Sequence, residues 1–357
     1  MQDLPPASRR AAARRMCALV MAAAALAAMP VRAGTIYLAP GGSDAAAGTT
    51  GGSAVATLPH AVALALQAPG EAQVVVLGGT YRGQTLELDA RRLTHSLTIR
   101  SATDATATDP TASYPAFVGD GNATFVRLRG ARPQGVGFVL RKLRVAGYAT
   151  AISIEAGRDA PRPATRTIIA DNVFERIGSS PGDAGASPPR PSTAAIRLVN
   201  VGGAVVARNL FRDIRNTPSA ACPLLHAVYL AHFSSRAMIL GNTFDGFCGS
   251  AIKLRDRSND ALIFDNRFAR AGEAGAIEEW YCDKARSAEC TKAEGECPST
   301  GALVGRNRFD GLAPARQVLV RGGRSERAWC ADDDYRRPRI TIDARFDTAP
   351  LLSGVDD

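Results

Sequence analysis

Between His226 and Trp280 the chain repeats itself. Ala227-Val228-Tyr229-Leu230 aligns with Ala251-Ile252-Lys253-Leu254, and Gly241-Asn242-Thr243-Phe244 aligns with Asp265-Asn266-Arg267-Phe268, at a constant offset of 24 residues. Ala276-Ile277-Glu278-Glu279 begins 25 residues further on. A unit this short cannot bury its own apolar face, so it must stack on copies of itself. The apolar residues alternate, which is the period of a strand, not a helix. The chain is therefore expected to be a solenoid of short stacked strands.

A second signature runs over a longer span. Asn172-Val173-Phe174, Asn209-Leu210-Phe211, Asn242-Thr243-Phe244, Asn266-Arg267-Phe268 and Asn307-Arg308-Phe309 are five copies of N-x-F, each after an alternating strand. Asn tolerates the left-handed backbone of a tight corner, and its amide can bond the corners above and below. The Phe two residues on is expected to fill the interior. The asparagine spacings are 37, 33, 24 and 41, and the excess over 24 is inserted loop. Three insertions stand out: Ser179–Thr193, Asn216–Leu225 and Tyr281–Thr300. The first two lead into the same strand of successive coils and the third leaves it, so all three wall one face, where sites tend to be built.

The ends of the chain read differently. Residues 1–33 carry Arg9, Arg10, Arg14 and Arg15 ahead of the apolar run Met16–Met29 and a small-residue site at Pro30–Ala33. That is the pattern of a secretory signal peptide, with too short an apolar run to span a bilayer. Removing it lowers the net charge from +9 to +5. The mature chain, with no transmembrane segment of its own, is expected in the periplasm or outside the cell. Its six cysteines, Cys222, Cys248, Cys282, Cys290, Cys297 and Cys330, then imply disulfides. The repeat register places Cys222 and Cys248 on adjacent coils, so a 222–248 bridge is expected. The other four leave three pairings open. No C-x-x-C pair offers a metal site. Asp332-Asp333-Asp334 raises the thought of Ca²⁺, but three adjacent carboxylates converge poorly on one ion, and a solvated turn is expected. No cofactor is predicted. No basic cluster interleaved with aromatics marks a nucleic-acid surface. Nothing in the chain signals self-association, and a monomer is expected.

Residues 34–70 read as a strand over Gly34–Leu38, a turn, and an amphipathic helix over Leu58–Leu66 with Thr57 as N-cap. Gln73–Leu77 is a buried strand, followed by Gly78-Gly79-Thr80-Tyr81. The segments TIYLAPGGSDAAAGT, ATLPHAVALAL, AQVVVLGGTYRGQTLEL and SLTIRSA resemble the opening of right-handed parallel β-helix proteins of the pectate-lyase-like superfamily. The resemblance covers nearly all of residues 34–320. It implies an all-β, single-stranded right-handed parallel β-helix whose N-terminal helix caps the open end of the stack, with coils over 71–320 and a C-terminal capping tail over 321–357.

The register then places specific side chains together. Ser153, Arg197, Tyr229, Lys253 and Glu278 fall in one outward column, and Glu155, Val199, Ala231, Arg255 and Trp280 in the next. His226 stands at the entry of the site strand, and His232 and Arg257 at its exit. Such a face suits an acidic polysaccharide: arginines pair with carboxylates or sulfates, and Trp280 and Tyr229 offer flat surfaces to sugar rings. Eliminative cleavage of a uronate needs a cation on the carboxylate, a base for the C5 proton and an acid for the leaving oxygen. The column is also similar to the chondroitinase B and alginate lyase branch, where a lysine and an arginine on neighbouring coils act as base and acid. That similarity implies Lys253 as base, with Arg197, Arg255 or Tyr229 as acid or carboxylate clamp; the register itself sets His226, His232, Arg257, Glu278 and Trp280 around them, where they are expected to line the substrate. The R-x-P-x-x-R run of pectate lyases, the paired aspartate motifs of polygalacturonases and the D-P-H-D run of mannuronan epimerases are absent. Two other readings stay open. One is hydrolysis by Glu278, Glu279, Asp256 or Asp283. The other is a glycan-binding protein without catalysis, in which Glu278 merely neutralises Lys253.

Overall fold

Residues 24 to 41 apart in sequence lie side by side in space, because the chain closes one coil over that length and begins the next on top of it. The computed structural model describes residues 34–103, 113–179, 191–217, 219–272, 274–282, 296–321, 330, 337–343, 345 and 348–356. Residues 1–33 with the expected signal peptide, most of the 179–193 and 281–300 segments, Cys290, Asp283 and Asp332–Asp334 lie outside them. Within them run three parallel sheets of ten, eight and eight strands, and successive neighbours in a sheet are every third strand of the chain for most of its length. Each coil thus gives one strand to each sheet, and the molecule is a parallel β-helix.

The N-x-F signature holds the coils together. Asn172, Asn209, Asn242, Asn266 and Asn307 form a ladder. Each of the first four donates its backbone N–H (2.9 Å) and side-chain amide (3.0 Å) to the Oδ1 of the next. Their spare amide hydrogens bond interior carbonyls such as Val206 and Ile239. The left-handed backbone expected of these asparagines belongs instead to the residue before each: Asp171, Arg208, Gly241, Asp265 and Arg306 have φ of 52° to 62°. The corner turns one residue early, which frees the Asn to face inward and bond along the stack. Phe174, Phe211, Phe244, Phe268 and Phe309 stack in sequence with ring centroids 4.8–5.2 Å apart. The middle rings are fully buried, and each such burial contributes about 1.5–3 kcal/mol.

The helix Leu58–Gln67 forms where expected, with Thr57 accepting the His60 N–H as its N-cap. Its buried face, Leu58, Ala61, Val62 and Ala65, lies on the first coil and closes the core at that end. Gly34 makes the close approach workable, since a Cβ there would stand 2.5 Å from Ala68 Cβ and 2.6 Å from the Ala65 carbonyl oxygen. A disulfide joins Cys222 and Cys248 on adjacent coils, and another joins Cys297 to Cys330. Cys282 is also oxidised. These bonds fit an oxidising compartment outside the cytosol. Among the described residues no helix is long and apolar enough to cross a membrane.

Candidate functional site

One eight-stranded sheet carries the repeat. Its central strands are Thr150–Glu155, Ala194–Val199, His226–Ala231, Ile252–Arg255 and Ile277–Trp280. Residue pairing puts Ser153, Arg197, Tyr229, Lys253 and Glu278 in one row, and Glu155, Val199, Ala231, Arg255 and Trp280 in another. The rungs are about 4.8 Å apart. The alternating Ile152, Ile154, Ile196, Leu198, Val228, Leu230, Ile252, Leu254 and Ile277 are buried inside the coil. The register expected from the repeat therefore holds residue for residue. The small residues Ala194, Val199 and Ala231 pack beside Tyr229 as the floor of the face.

The side chains on this floor fall into linked groups. Arg197 pairs with Glu155, which also accepts from Ser153 Oγ at 3.2 Å. Arg255 is held by a bidentate fork to Glu296, with Nε and one terminal nitrogen each 2.6 Å from a carboxylate oxygen. Its other terminal nitrogen donates to the Tyr229 hydroxyl at 2.9 Å. Lys253 Nζ lies 3.6 Å from Glu278 Oε2, whose carboxylate also accepts from Ser250 and sits 3.5 Å from Arg321 Nε. Trp280 ties the two groups together: Lys253 Nζ is 4.8 Å and Arg255 Cζ 4.6 Å from its ring centroid.

Burial sets the protonation of these groups. Desolvation pulls the Lys253 amine below its ordinary value. The Glu278 carboxylate opposes the shift, while Arg255 and Arg321 add to it. The Glu278 pair of the binding-protein reading forms, but burial outweighs its effect on the amine. Tyr229 is shifted upward by burial, so its phenol stays protonated despite Arg255. His226 is fully desolvated and next to Lys253 and Arg255, which holds it well below the usual imidazole range and therefore neutral. Its Nδ1 lies 3.2 Å from the Ser250 carbonyl, so that nitrogen carries the proton, and the ring leans on Tyr229 at 5.5 Å.

Several expected site residues are placed elsewhere. Glu279 points into the coil and is fully buried, so it is not a groove carboxylate. His232 and Asp256 are the corners that end two neighbouring site strands, with φ of 48° and 47°, and His232 Nδ1 bonds Asp256 Oδ2 at 2.7 Å. His, Asp and Asn are the types that tolerate this backbone, and Asn200 with φ 59° occupies the same corner one coil earlier. Arg257 lays its guanidinium over the Phe233 ring at 4.9 Å, with Nε 3.3 Å from Asp256. Glu296, Arg321 and Ser250 escaped the sequence reading, because nothing in the repeat signals that Glu296 returns to Arg255 from 41 residues away.

His232, Asp256 and Glu296 offer three ligand atoms within 4.8 Å of one another, one such cluster among the described residues. Both carboxylates of the cluster, and His232 Nδ1, are already engaged. Asp256 accepts from His232 and from the Cys297 N–H, with Arg257 Nε 3.3 Å away, and Glu296 accepts the Arg255 fork and the Cys282 N–H. Two adjacent guanidiniums supply the positive charge a metal would bring.

No family model and no curated protein matches this chain. Among solved structures, a GH136 lacto-N-biosidase from Eubacterium ramulus is matched at a TM-score of 0.33 and 11% identity, over 87% of this chain and 67% of that one.

Proposed function

We propose that this face is the active site of an exported carbohydrate-active enzyme, a polysaccharide lyase that cleaves an acidic, uronate-containing glycan by β-elimination. The observation that carries the reading is Lys253: a desolvated amine in an outward row, flanked by a protonated tyrosine and by arginines. Arg321, beside Glu278 on the rung next to Lys253, is the cation for the uronate carboxylate, whose neutralisation acidifies the C5 proton. Arg197, two rungs from Lys253 on the other side and paired with Glu155, meets a neighbouring unit of the chain. Lys253, in its deprotonated form, takes that proton; burial favours that form. The electron pair forms the C4–C5 double bond as the C4–oxygen bond breaks, and Tyr229 gives its phenolic proton to the departing oxygen. Arg255 has a different part from the one the resemblance implied. Its guanidinium is committed to Glu296 and Tyr229, so it positions the tyrosine and does not clamp substrate.

Hydrolysis is less well served. Glu279 is inside the coil and Asp256 is a corner partner of His232, leaving Glu278 and Glu155 as outward carboxylates of these rows. Glu155 lies four rungs from Glu278, roughly 19 Å along the stack, against the roughly 5–9.5 Å that paired-carboxylate mechanisms use.

The test is to incubate the purified mature protein with polygalacturonate, alginate and chondroitin sulfate and to follow the ultraviolet absorbance of the unsaturated uronate. Lys253→Ala is expected to lower that signal by about 10²–10⁴-fold. New reducing ends without absorbance would mean hydrolysis. Full activity in the variant would remove Lys253 as the base.

A further inference from the structure

A cavity of about 30 Å³ lies at the corner where the sheet of the lysine row turns toward the ten-stranded sheet. Arg132 lines it from the connection that follows strand Thr124–Arg129. Thr165, Asn200 and the exposed Arg162 add polar groups, and Ile154 and Val201 add apolar ones. Arg132 is only 9% exposed. Its Nη2 donates to the Thr165 and Thr167 hydroxyls. Its Nη1 is buried and meets no acceptor among the described residues. Nor does a carboxylate oppose the charge: burial alone acts on the guanidinium and pulls it down to about 10, so it is still a cation at neutral pH.

Such a group is costly twice, once for the idle donor and once for the uncompensated charge. A water could answer the donor, but only an anion answers the charge. The later coils show how the same corner is balanced elsewhere. Two coils on, the corner residue is Asp256, whose carboxylate stands 3.3 Å from Arg257 Nε. Here the corner residue is Asn200, a neutral amide. Its Oδ1 accepts the Arg162 N–H at 3.0 Å and its Nδ2 donates to the Ala160 carbonyl at 2.6 Å. Those bonds hold the segment 156–166 against the corner and bring no negative charge. The volume suits one small ion. A phosphate or sulfate would press most of its oxygens against Ile154, Val201 and the rest of the apolar lining.

We infer that this cavity is a chloride site, in which a monovalent, halide-sized anion accepts from Arg132 Nη1, neutralises the buried guanidinium and pins the segment 156–166 to the corner. The site lies roughly 14 Å along the stack from the Lys253 rung, so the ion supports the edge of that face and takes no part in its chemistry. The inference does not depend on the proposed activity.

An anion that binds only the folded chain stabilises it by mass action. The experiment replaces gluconate, which is too large for the cavity, by chloride at constant ionic strength, and follows thermal unfolding of the purified mature protein. A saturable rise of about 2–4 °C, reproduced by bromide, is the expected result. Arg132→Met is expected to abolish the rise. Arg162→Gln, at an exposed position, is expected to raise the chloride concentration for half the effect by about threefold. Bromide diffused into crystals of the unaltered protein is expected to scatter anomalously within hydrogen-bond reach of Arg132 Nη1, a readout that requires no variant to fold. A midpoint indifferent to chloride, a rise that persists in Arg132→Met, or bromide absent from the cavity overturns the inference. A rise with galacturonate and none with chloride would give the cavity to a sugar carboxylate and also overturn it. The uronate assay reads Lys253 and the melts read Arg132, so either proposal can fail alone.

Discussion

Glu278 and Glu279 are neighbours in sequence and opposites in environment, and alternation along a strand is the whole cause. Glu278 faces outward to Lys253 and Arg321, whereas Glu279 faces the core, accepting from the Ser299 N–H at 2.9 Å and Arg339 at 3.2 Å. Burial raises the Glu279 carboxyl from 4.5 to about 7, against the opposing pull of those two donors. A carboxyl raised on folding favours the folded state below its unfolded value and loses that contribution as pH climbs from 4.5 to about 7. Glu279→Gln is therefore expected to change stability little near about pH 4, and to stabilise by up to about 3 kcal/mol near about pH 8. Denaturant melts of both proteins at the two pH values check this. A difference that does not vary with pH would show that Glu279 ionises alike in the folded and unfolded chains.

At the scale of the element, the asparagine ladder makes unequal use of its members. Asn242 Oδ1 accepts both the backbone N–H and the side-chain amide of Asn209, whereas Asn172 Oδ1 accepts the Leu143 N–H at 3.1 Å, because a leucine precedes it in the ladder. Both asparagines are buried, and each donor left unsatisfied there costs about 1–3 kcal/mol. Asn242→Leu is expected to destabilise more than Asn172→Leu, read from paired denaturant melts, and equal losses would mean that only the interior carbonyl bonds matter. The N-x-F repeat made this ladder legible in the sequence. It did not show which residue of the corner takes the left-handed backbone, because Asp, Arg and Gly all occupy the preceding position and share no pattern. The outward rows were legible for a stricter reason. A slip of one residue would bury Lys253 and Arg197 and expose isoleucines, so only one register is stable. Glu296 and Arg321 were not legible, because they reach the face from segments with no repeat to fix their height.

The whole molecule is a stack in which each coil touches only its neighbours, so its weak points are its ends. An uncovered first coil would offer open strand edges and the cut face of the core to a second molecule. The helix Leu58–Gln67 prevents this with four buried residues, and its own start is fixed from several sides. Asp44 accepts the N–H groups of Ala56 and Thr57 at 2.9 Å each, and the Gln84 side chain bridges the Leu58 N–H and the Ala56 carbonyl at 2.6 and 2.9 Å. Val62 is fully buried in this cap, far along the stack from the lysine row. Val62→Asp places a charge where it cannot be paired, so the cap lifts while the later coils keep their asparagine and phenylalanine stacks. The expected outcome is a lower thermal midpoint together with dimers or larger species on size-exclusion chromatography. A Val62→Asp protein that elutes and melts like the original would show that the first coil is protected by something other than its helix.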